Sequence, residues 1–240
     1  MKCEIYALGR AGRALELSLA HIQNQPDILF LTVPDDVIAG VAQKLTSPQT
    51  PLHPVERGFM KTLPRCVAHL SGAHSYKILN ALKGKTALAQ FHPLAALTGD
   101  KAIPAGTQCA ISSDQEWARD ALTQLARSMG LIPTTLNPQK ATQYHAAAVI
   151  TGNLSLGLVS KSIELMQEAG IDPQIARVGL AKLLRSAAEN LEHKDIPQAL
   201  TGPIARKDIK IIQKHLEILD PEVKQVYQTL SGWLGFTAAE

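Results

Sequence analysis

A glycine-containing turn near the start of the chain constrains the fold more than any other feature. Residues 5–8 are mainly apolar, Gly9 and Gly12 follow at once, and residues 13–17 have a helix-like pattern. A strand, a glycine turn and a helix in this order bring backbone N–H groups close to a pyrophosphate at the positive end of the helix. The pattern predicts the first unit of a dinucleotide-binding α/β fold. The alternative is an ordinary strand-to-helix turn in which glycine serves packing alone.

The turn departs from the full motif at its first position. Ala7 stands where the first glycine belongs, whereas Gly9 and Gly12 correspond to the second and third. Because a Cβ disfavours the left-handed region, we expect the backbone at Ala7 to keep a negative φ.

The chain after the first helix lacks a part that a complete dinucleotide fold contains. A second strand ending in an acid or an arginine for the adenosine ribose should follow about twenty residues on. Instead, a helix over roughly 13–23 leads directly to the apolar run 27–33, which is typical of a buried parallel strand. One strand-helix unit is therefore expected to be missing.

Strands and helices alternate up to residue 136, and only helices are expected beyond it. Asp35 or Asp36 is the expected N-cap of the helix after the second strand, and Pro133 predicts an edge strand. The expected fold is a shortened Rossmann-like parallel sheet domain over 1–136, followed by a helical domain over 137–240. The predicted strands cover 66–72, 86–93, 107–112 and 131–136, after a Pro-rich connection over 47–64; helices are predicted at 37–45, 114–128, 137–170 and 172–193, with two more that begin near Thr201 and Asp220.

Composition excludes several classes of function. The net charge is +3 and aromatic residues make up 4% of the chain, so the basic surface and stacking platform of a nucleic-acid binder are not expected. Cys3, Cys66 and Cys109 are odd in number and far apart, which indicates reduced thiols rather than a zinc site. No metal is expected at His69 or His92 either, because no ligand partner stands at the right spacing. Without a signal peptide or an apolar run near the length of a membrane span, we expect a cytoplasmic protein that does not bind membranes.

Six segments in order resemble the Rossmann-like "domain of unknown function 2520" family over almost the entire chain. This resemblance implies a nucleotide domain followed by a helical domain like that of 6-phosphogluconate dehydrogenase, with kinship to NADP-dependent reductases. It also implies a ketopantoate reductase activity, which belongs to pantothenate biosynthesis. Ala7 and the missing strand depart from the pattern at the adenosine end of the cofactor. The segments are Gly9–Gly12, Val33–Asp36, His69–Gly72, Phe91–Leu94 and, most specific, Tyr144–Val149 and Leu200–Arg206.

Three residues on the long helix are candidates for catalysis. Lys140 lies in the first turn, where it is either a general acid or substrate clamp, or a solvated surface lysine. His145 and Asn153 follow one helical face with Val149, at spacings of four residues. The alternatives are a buried histidine bonded to a backbone carbonyl and an asparagine that bridges two helices. The family resemblance favours catalytic roles for both.

Four residues are candidates for substrate binding. Ser71 and His92 lie at strand ends on the expected carboxyl side of the sheet, where open α/β folds bind ligands. Arg206, just inside a helix expected to start at Thr201, is suited to a carboxylate or phosphate. The alternatives are an interdomain salt bridge for Arg206 and a simple helix cap for Thr201.

The expected cofactor is NADP, with NAD as the alternative. Arg10 and Arg13 provide positive charge near the turn, although both also suit an exposed surface. Asp35 suits a ribose hydroxyl, but the helix-cap interpretation is favoured. The residues assigned to the cofactor are Leu8, Gly9, Arg10, Ala11, Gly12, Val33, Pro34 and Asp35.

Two functions follow from these residues. The first is an NAD(P)H-dependent reductase of a small 2-oxo acid, with reduction of ketopantoate to pantoate as the specific hypothesis. The second is a degenerate relative without hydride chemistry, which binds a ligand or serves as a scaffold. The predicted helices of the second domain carry apolar faces that predict a homodimer, with a self-contained bundle as the alternative; these faces include Ile175, Leu180, Leu183, Leu184, Ile209, Ile212, Leu216 and Leu219.

Overall fold

The computed structural model describes residues 3–23, 27–46 and 63–236, so most of the predicted connection over 47–64 lies outside the described residues. The chain divides into two compact units, Met1–Asn153 and Leu154–Glu240. The change from strands to helices falls at Asn137, as the sequence predicts. The domain boundary placed at that residue stays a prediction.

The first unit is built on a six-stranded sheet whose spatial order equals the chain order. Strands β1 to β4 are parallel, β5 runs antiparallel to β4, and β6 runs parallel to β5. The predicted fold class, a shortened Rossmann-like parallel sheet followed by helices, is confirmed, and the antiparallel pairing of β5 with β4 is the difference from it. The strands are β1 (Glu4–Tyr6), β2 (Ile28–Leu31), β3 (Cys66–His69), β4 (Ala87–Pro93), β5 (Gln108–Ser113) and β6 (Ile132–Thr135).

In the part of the chain that the structure describes, β1 is an edge strand, and the missing strand-helix unit stays a prediction. Within the described residues, β1 pairs with β2 alone. A complete dinucleotide fold pairs its first strand on both sides, so the half of the sheet beyond β1 is the shortened part. At the opposite edge, β6 contains Pro133, which lacks the N–H that a further strand would need.

Helices cover both faces of the sheet. Successive side chains of a strand point to opposite faces, so the buried apolar strands need a cover on each side. Phe30 and Phe91 face one side, where their rings meet edge to face at 5.5 Å and pack with α1 and α3. Leu31 and Leu88 face the other side and pack with α2. The helices are α1 (Arg10–Leu19), α2 (Ile38–Leu45), α3 (Glu116–Ser128), α4 (Ala141–Val149), α5 (Ser155–Glu168), α6 (Pro173–His193), α7 (Ile196–Ala199), α8 (Gly202–Ala205), α9 (Ile209–Ile218) and α10 (Pro221–Trp233).

Three of the long helical segments begin with the caps that the sequence predicts. The side chains of Asn137, Asp172 and Asp220 each accept hydrogen bonds from backbone N–H groups of the first turn, and a proline follows each of them. These caps satisfy N–H groups that would otherwise lack a partner at a helix start. The helical segment that begins after Asn137 consists of a 3₁₀ turn, α4, a π-helical turn at Ile150–Leu154 and α5.

Two local expectations about helix starts are wrong. Asp35 and Asp36 lie within a 3₁₀ turn after β2, and neither side chain caps that turn or α2. The segment after Thr201 forms the single turn α8, which has no side-chain cap, and Arg206 follows the last residue of that turn. Arg206 is therefore not near the start of a long helix, because Gly202 and Lys207 adopt positive φ and confine α8 to one turn.

The backbone at Ala7 also differs from the expectation. Its φ is +71°, in the left-handed region that a Cβ disfavours by about 1–2 kcal/mol. The Thr32 hydroxyl donates to the carbonyl oxygens of Tyr6 and Ala7, which holds the backbone of the turn. Tertiary contacts thus impose on alanine the conformation that glycine normally adopts in this turn.

The helical segment predicted over 137–170 is apolar enough over its length to match a membrane span. Residues Pro138–Glu168 are long and apolar enough to cross a membrane by length and composition. The expectation that no run approaches a membrane span is wrong for this segment, because its alanines and glycines separate the larger apolar residues. A single helix of this kind is weak evidence for a membrane span, since core helices of soluble proteins reach the same length and hydropathy.

Replacing Ala7 by glycine tests the left-handed turn. We expect Ala7→Gly to leave the free energy of unfolding unchanged or to raise it by up to about 1 kcal/mol, because the relieved strain offsets the greater freedom of the unfolded chain. Ala7→Val should lower it by more than about 1 kcal/mol. The measurement is urea unfolding followed by circular dichroism. Ala14→Gly, inside α1, is the control and should cost about 1 kcal/mol or more; an equal cost for Ala7→Gly would contradict the strain.

Candidate functional site

The carboxyl ends of β1 to β4 lie at one edge of the sheet because these strands are parallel. We call this the carboxyl edge; the residues that follow or close the strands there are 7–12, 32–36, 70–75 and 92–94. Ligands of open α/β folds bind outside this edge. All eight residues assigned to the cofactor lie on it, together with Ser71 and His92.

Gly12 allows α1 to start directly against the strand ends. A Cβ at this position would lie 2.5 Å from the Ala7 carbonyl oxygen and 2.6 Å from the Thr32 hydroxyl oxygen. These distances are too short for any side chain, so glycine is required for the close packing of helix and strands. The role predicted for the third glycine of the motif, close helix–strand packing, matches this geometry.

Gly9 differs from Gly12 because no contact within the protein requires it. A Cβ at Gly9 would have the Thr32 carbonyl oxygen as its nearest neighbour, at 3.9 Å, and the backbone φ is −69°, which any residue can adopt. No side chain among the described residues caps the start of α1. Because Gly9 has no Cβ and the N–H groups at the start of α1 have no side-chain cap among the described residues, a pyrophosphate fits against the backbone there.

Positive charge lies beside this turn. The Arg13 Nε donates to the Leu8 carbonyl oxygen at 3.1 Å, which holds the guanidinium at the turn, and Arg10 is exposed. Together with the α1 N-terminus, these groups fit the phosphates of a dinucleotide. The adenosine end has less support, because the described residues place no strand beyond β1. Val33 is half-buried, and Pro34 and Asp35 are exposed after β2.

Buried polar side chains cross the middle of the sheet. His69, Gln90 and Ser112 are neighbours on β3, β4 and β5. The Ser112 hydroxyl donates to Gln90 Oε1 at 3.0 Å, and Gln90 Nε2 donates to the Ser71 carbonyl oxygen at 2.9 Å. This chain of bonds fixes the turn after β3, and therefore the backbone at the carboxyl edge.

His69 is a neutral histidine that holds the same turn. The Ser71 N–H donates to His69 Nδ1 at 3.2 Å, so Nε2 carries the hydrogen and donates to the Ser75 carbonyl oxygen at 3.2 Å. Burial lowers the pKa of His69 to about 4, against weaker opposing effects of the Ser75 hydrogen bond and the Asp35 carboxylate. The Ser71 hydroxyl oxygen accepts from the Ala73 and His74 N–H groups at 3.2 and 3.3 Å, so it too shapes the turn.

His92, His145 and Tyr144 come together beside Gly72. The Tyr144 hydroxyl and His92 Nδ1 are 2.8 Å apart, and the two rings meet edge to face. A Cβ at Gly72 would lie 2.8 Å from His92 Nε2 and 2.9 Å from His145 Cδ2. Burial, followed by the charge of His145, lowers the pKa of His92 to about 4, while Asp35 opposes the shift. Burial raises the pKa of Tyr144 to about 12.

The structure thus brings two predicted residues, His92 and His145, into one cluster and adds two that the sequence reading missed. Tyr144 and Gly72 both lie inside segments that carry the family resemblance, and the Tyr-His pair at 144–145 was the available signal. Their contact joins residues far apart in the sequence, which helical or strand periodicity does not reveal.

The remaining catalytic and substrate-binding candidates, Lys140, Asn153, Thr201 and Arg206, are exposed, and their roles stay predictions. Lys140 closes the 3₁₀ turn before α4, and Asn153 lies in the π-helical turn. Thr201 and Arg206 belong to the second unit. Among the described residues, no three His, Cys, Asp or Glu side chains come together to hold a metal ion, and all three cysteines are buried.

Comparisons with known proteins identify the family and the fold. The profile of the family described as "Domain of unknown function (DUF2520)" matches residues 107–233, slightly more than half of the chain. A comparison with curated proteins finds no match.

Solved structures share the fold at low sequence identity. Protein TM1727 from Thermotoga maritima has 20% identity and a TM-score of 0.70, with 99% of this chain and 98% of that chain covered. A Bacteroides fragilis protein provisionally described as an NADP oxidoreductase has 18% identity and a TM-score of 0.62, over 89% and 76% of the two chains. Plasmodium falciparum pyrroline carboxylate reductase with NADP bound has 12% identity and a TM-score of 0.59, over 90% of each chain. The chain therefore shares the fold of these three proteins.

Acidification tests His69, which is buried, and His92, which is half-buried. Their pKa is lowered to about 4 in the folded protein, whereas histidine in an unfolded chain titrates near ~6.5. The unfolded chain therefore binds protons that the folded chain does not as the pH falls from about 6.5 to 4, and each histidine should cost about 3 kcal/mol of stability over this window. Stability should be full above pH ~6.5.

Urea unfolding at several pH values measures this loss. His69→Gln keeps a donor and an acceptor in place and should reduce the dependence of stability on pH, because one of the two titrating groups is gone. His21→Gln is the control, since His21 is exposed and should leave the dependence unchanged. An identical pH dependence in wild type and His69→Gln would show that His69 is not held neutral.

Proposed function

Because the chain belongs to the DUF2520 family and has a shortened Rossmann-like fold, we propose that it is a nicotinamide-dependent reductase of a small 2-oxo acid. One observation carries the proposal: an uncapped helix start with a Cβ-free Gly9 shares the carboxyl edge with the cluster of His92, Tyr144 and His145. The first feature suits the phosphates of a cofactor, and the second offers polar groups to a carbonyl.

The residues of the turn would hold the cofactor. The N–H groups at the start of α1 and the guanidinium of Arg13 would bind the phosphates, while Gly9 leaves room for them. A bound reduced nicotinamide dinucleotide supplies the hydride that reduces a carbonyl carbon. NADP is the proposed form, because Arg10 and Arg13 offer positive charge for an additional phosphate; NAD is the alternative.

The polar groups of the carboxyl edge would bind the substrate. Ser71 and His92 would orient the carbonyl, with His145 beside them. Lys140 and Arg206 are the candidate cations for a carboxylate, and both are exposed. The similarity in fold to a pyrroline carboxylate reductase with NADP bound supports a small carboxylic acid as the substrate. Ketopantoate, reduced to pantoate, is the first compound to test, and the proposed location is the cytoplasm.

A second function has one observation in its favour. The described residues place β1 at the edge of the sheet, which removes the wall that normally holds adenosine. A protein that binds a smaller ligand, or serves as a scaffold, would need no such wall. This alternative predicts that neither NADPH nor NADH binds.

Substitutions at the two glycines separate cofactor binding from folding. Gly9→Ala should leave the melting temperature within about 2 °C of wild type, because the new Cβ has space within the protein. It should nevertheless weaken NADPH binding at least about tenfold, since the Cβ would meet the phosphates. Gly12→Ala should lower the melting temperature by several degrees, because its Cβ would overlap the Ala7 carbonyl.

NADPH and NADH titrations by calorimetry provide the measurement, with thermal unfolding of each variant alongside. If neither NADPH nor NADH binds the wild type with micromolar affinity, the proposed reductase function is wrong and the alternative function is favoured. Equal affinity in wild type and Gly9→Ala would place any bound nucleotide away from the turn. Binding without turnover of ketopantoate would change the substrate but not the class of enzyme.

We also propose that the second unit forms a homodimer, with a second copy of the chain covering its apolar helices. In α6, Ile175 and Leu183 are 67% and 65% exposed, although they are large apolar side chains. The buried apolar residues of this unit, among those described, are Ala176, Leu180 and Ile212. So small a core does not stabilise a helical unit by itself, and a symmetric partner would cover these surfaces.

Light scattering on the purified chain tests the dimer. The wild type should have twice the mass of one chain, and Leu183→Glu should shift it toward the monomer, because a buried unpaired charge is costly at an interface. Lys182→Glu is the control, since it adds the same carboxylate to α6 without removing apolar surface, and should change the mass less. A monomeric wild type would contradict the dimer and favour a self-contained second unit.

A further inference from the structure

His92 and Tyr144 form a pair that fixes the orientation of the imidazole. Their bond of 2.8 Å joins β4 to α4 across 52 residues of sequence, and the rings are perpendicular with centroids 5.4 Å apart. Both the hydrogen bond and the edge-to-face contact restrain the ring. His92 Nδ1 is therefore committed to Tyr144, and Nε2 is the nitrogen that remains.

His92 Nε2 is not fully buried, and it lies beside Gly72. No described residue forms a hydrogen bond with Nε2, and every fully buried side-chain nitrogen or oxygen among the described residues has a partner, so Nε2 retains some exposure. Gly72 is buried, and its φ does not lie in the left-handed region. The nearest atoms to a Cβ at Gly72 belong to the imidazoles of His92 and His145, at 2.8 to 2.9 Å. Glycine at this position therefore lets both imidazoles pack directly against the backbone, which fixes where Nε2 lies.

Both members of the pair are neutral near pH 7. Burial and the neighbouring His145 lower the pKa of His92, and burial with Cys109 raises that of Tyr144, whereas Asp35 acts weakly in the opposite direction on His92. A phenol O–H is a stronger donor than an imidazole N–H, and an imidazole nitrogen is a stronger acceptor than a phenol oxygen. Tyr144 therefore donates to Nδ1, and the hydrogen of His92 lies on Nε2.

We propose that His92 is the proton donor to the substrate oxygen, and that Tyr144 positions it and replaces the proton. The inference rests on the proposed reductase function. Reduction of the carbonyl carbon by a bound nicotinamide cofactor would move the C=O electron pair to oxygen, and this oxygen would take the proton from His92 Nε2 while the Tyr144 O–H proton moves to Nδ1. After the alcohol leaves, Nδ1 would return its proton to the Tyr144 oxygen and Nε2 would take a proton from water, which restores the pair. The ligand class is a compound with a carbonyl oxygen that reaches Nε2.

Removing the Tyr144 hydroxyl tests the pair. In Tyr144→Phe the ring contact stays but nothing holds the His92 tautomer or returns its proton, so kcat for ketopantoate reduction should fall about 10²-fold. The NADPH affinity should stay within about twofold of wild type, since Tyr144 does not bind the cofactor. A decrease in kcat without a change in Kd is what a proton-donating pair predicts and a purely structural role does not.

The chain contains a matched control for this substitution. His215 Nδ1 and the Tyr227 hydroxyl form the same type of bond at 3.0 Å, with edge-to-face rings 5.9 Å apart, in the second unit. Tyr227→Phe therefore removes an equivalent hydroxyl from an equivalent pair outside the proposed site. It should leave kcat within about twofold of wild type. Equal losses in the two variants would overturn the assignment.

Nitrogen-15 NMR of the imidazoles gives a readout that does not depend on activity. In the wild type at pH 7, His92 should be the neutral form with hydrogen on Nε2, and Tyr144→Phe should convert it to a mixture of tautomers. Hydrogen on Nδ1 in the wild type would overturn the inference, because Nε2 would then have no proton to donate. A wild-type chain that binds no nicotinamide nucleotide overturns the proposed function as well, whereas normal turnover by Tyr144→Phe overturns this inference alone.

Adding a side chain at Gly72 gives an independent test. Gly72→Ala should displace the His92 ring, break its bond to Tyr144 and reproduce the NMR change of Tyr144→Phe. Gly40→Ala in α2 is the control, since a Cβ there meets nothing within 4 Å and should stabilise the helix by about 1 kcal/mol. An unchanged His92 spectrum in Gly72→Ala would show that the contact with Gly72 does not hold the His92 ring in place.

Discussion

The close packing of Gly12 against the Ala7 carbonyl and the Thr32 hydroxyl determines where the first helix begins. Because no side chain fits at this position, α1 starts directly at the ends of β1 and β2. Its N–H groups are thereby brought to the carboxyl edge, where the strands also place His92. The left-handed backbone of Ala7 belongs to the same arrangement, since the Thr32 hydroxyl holds the turn. The proposed cofactor site depends on this single contact.

The sequence predicts the elements of the first unit well because β2, β3 and most of β4 are buried apolar runs between turn residues. The helix caps at Asn137, Asp172 and Asp220 are local as well, and they are found where expected. The errors have a different origin. The φ of Ala7 follows from the Thr32 side chain, which lies 25 residues away in sequence, and not from local preference. Arg206 leaves its expected place because left-handed residues shorten α8.

The candidate site could be predicted only in part, for the same reason. Ser71 and His92 follow from strand ends, which are visible in the sequence, and the glycine turn is visible as a motif. The bond between His92 and Tyr144 depends on how β3, β4 and α4 pack, and so does the contact of the two imidazoles with Gly72. Helical periodicity selects His145 but gives no reason to select its neighbour Tyr144, which lies on an adjacent part of the helix surface. Polar contacts between distant segments require the folded structure.

A crystal structure of the chain grown with NADPH measures the central claim most directly, because it locates the nucleotide as well as detecting it. We expect density for the diphosphate at the N–H groups that open α1, beside Gly9, and the nicotinamide ring on the side of the carboxyl edge that holds His92. A nucleotide bound elsewhere, or no density at the start of α1 under saturating NADPH, would contradict the account.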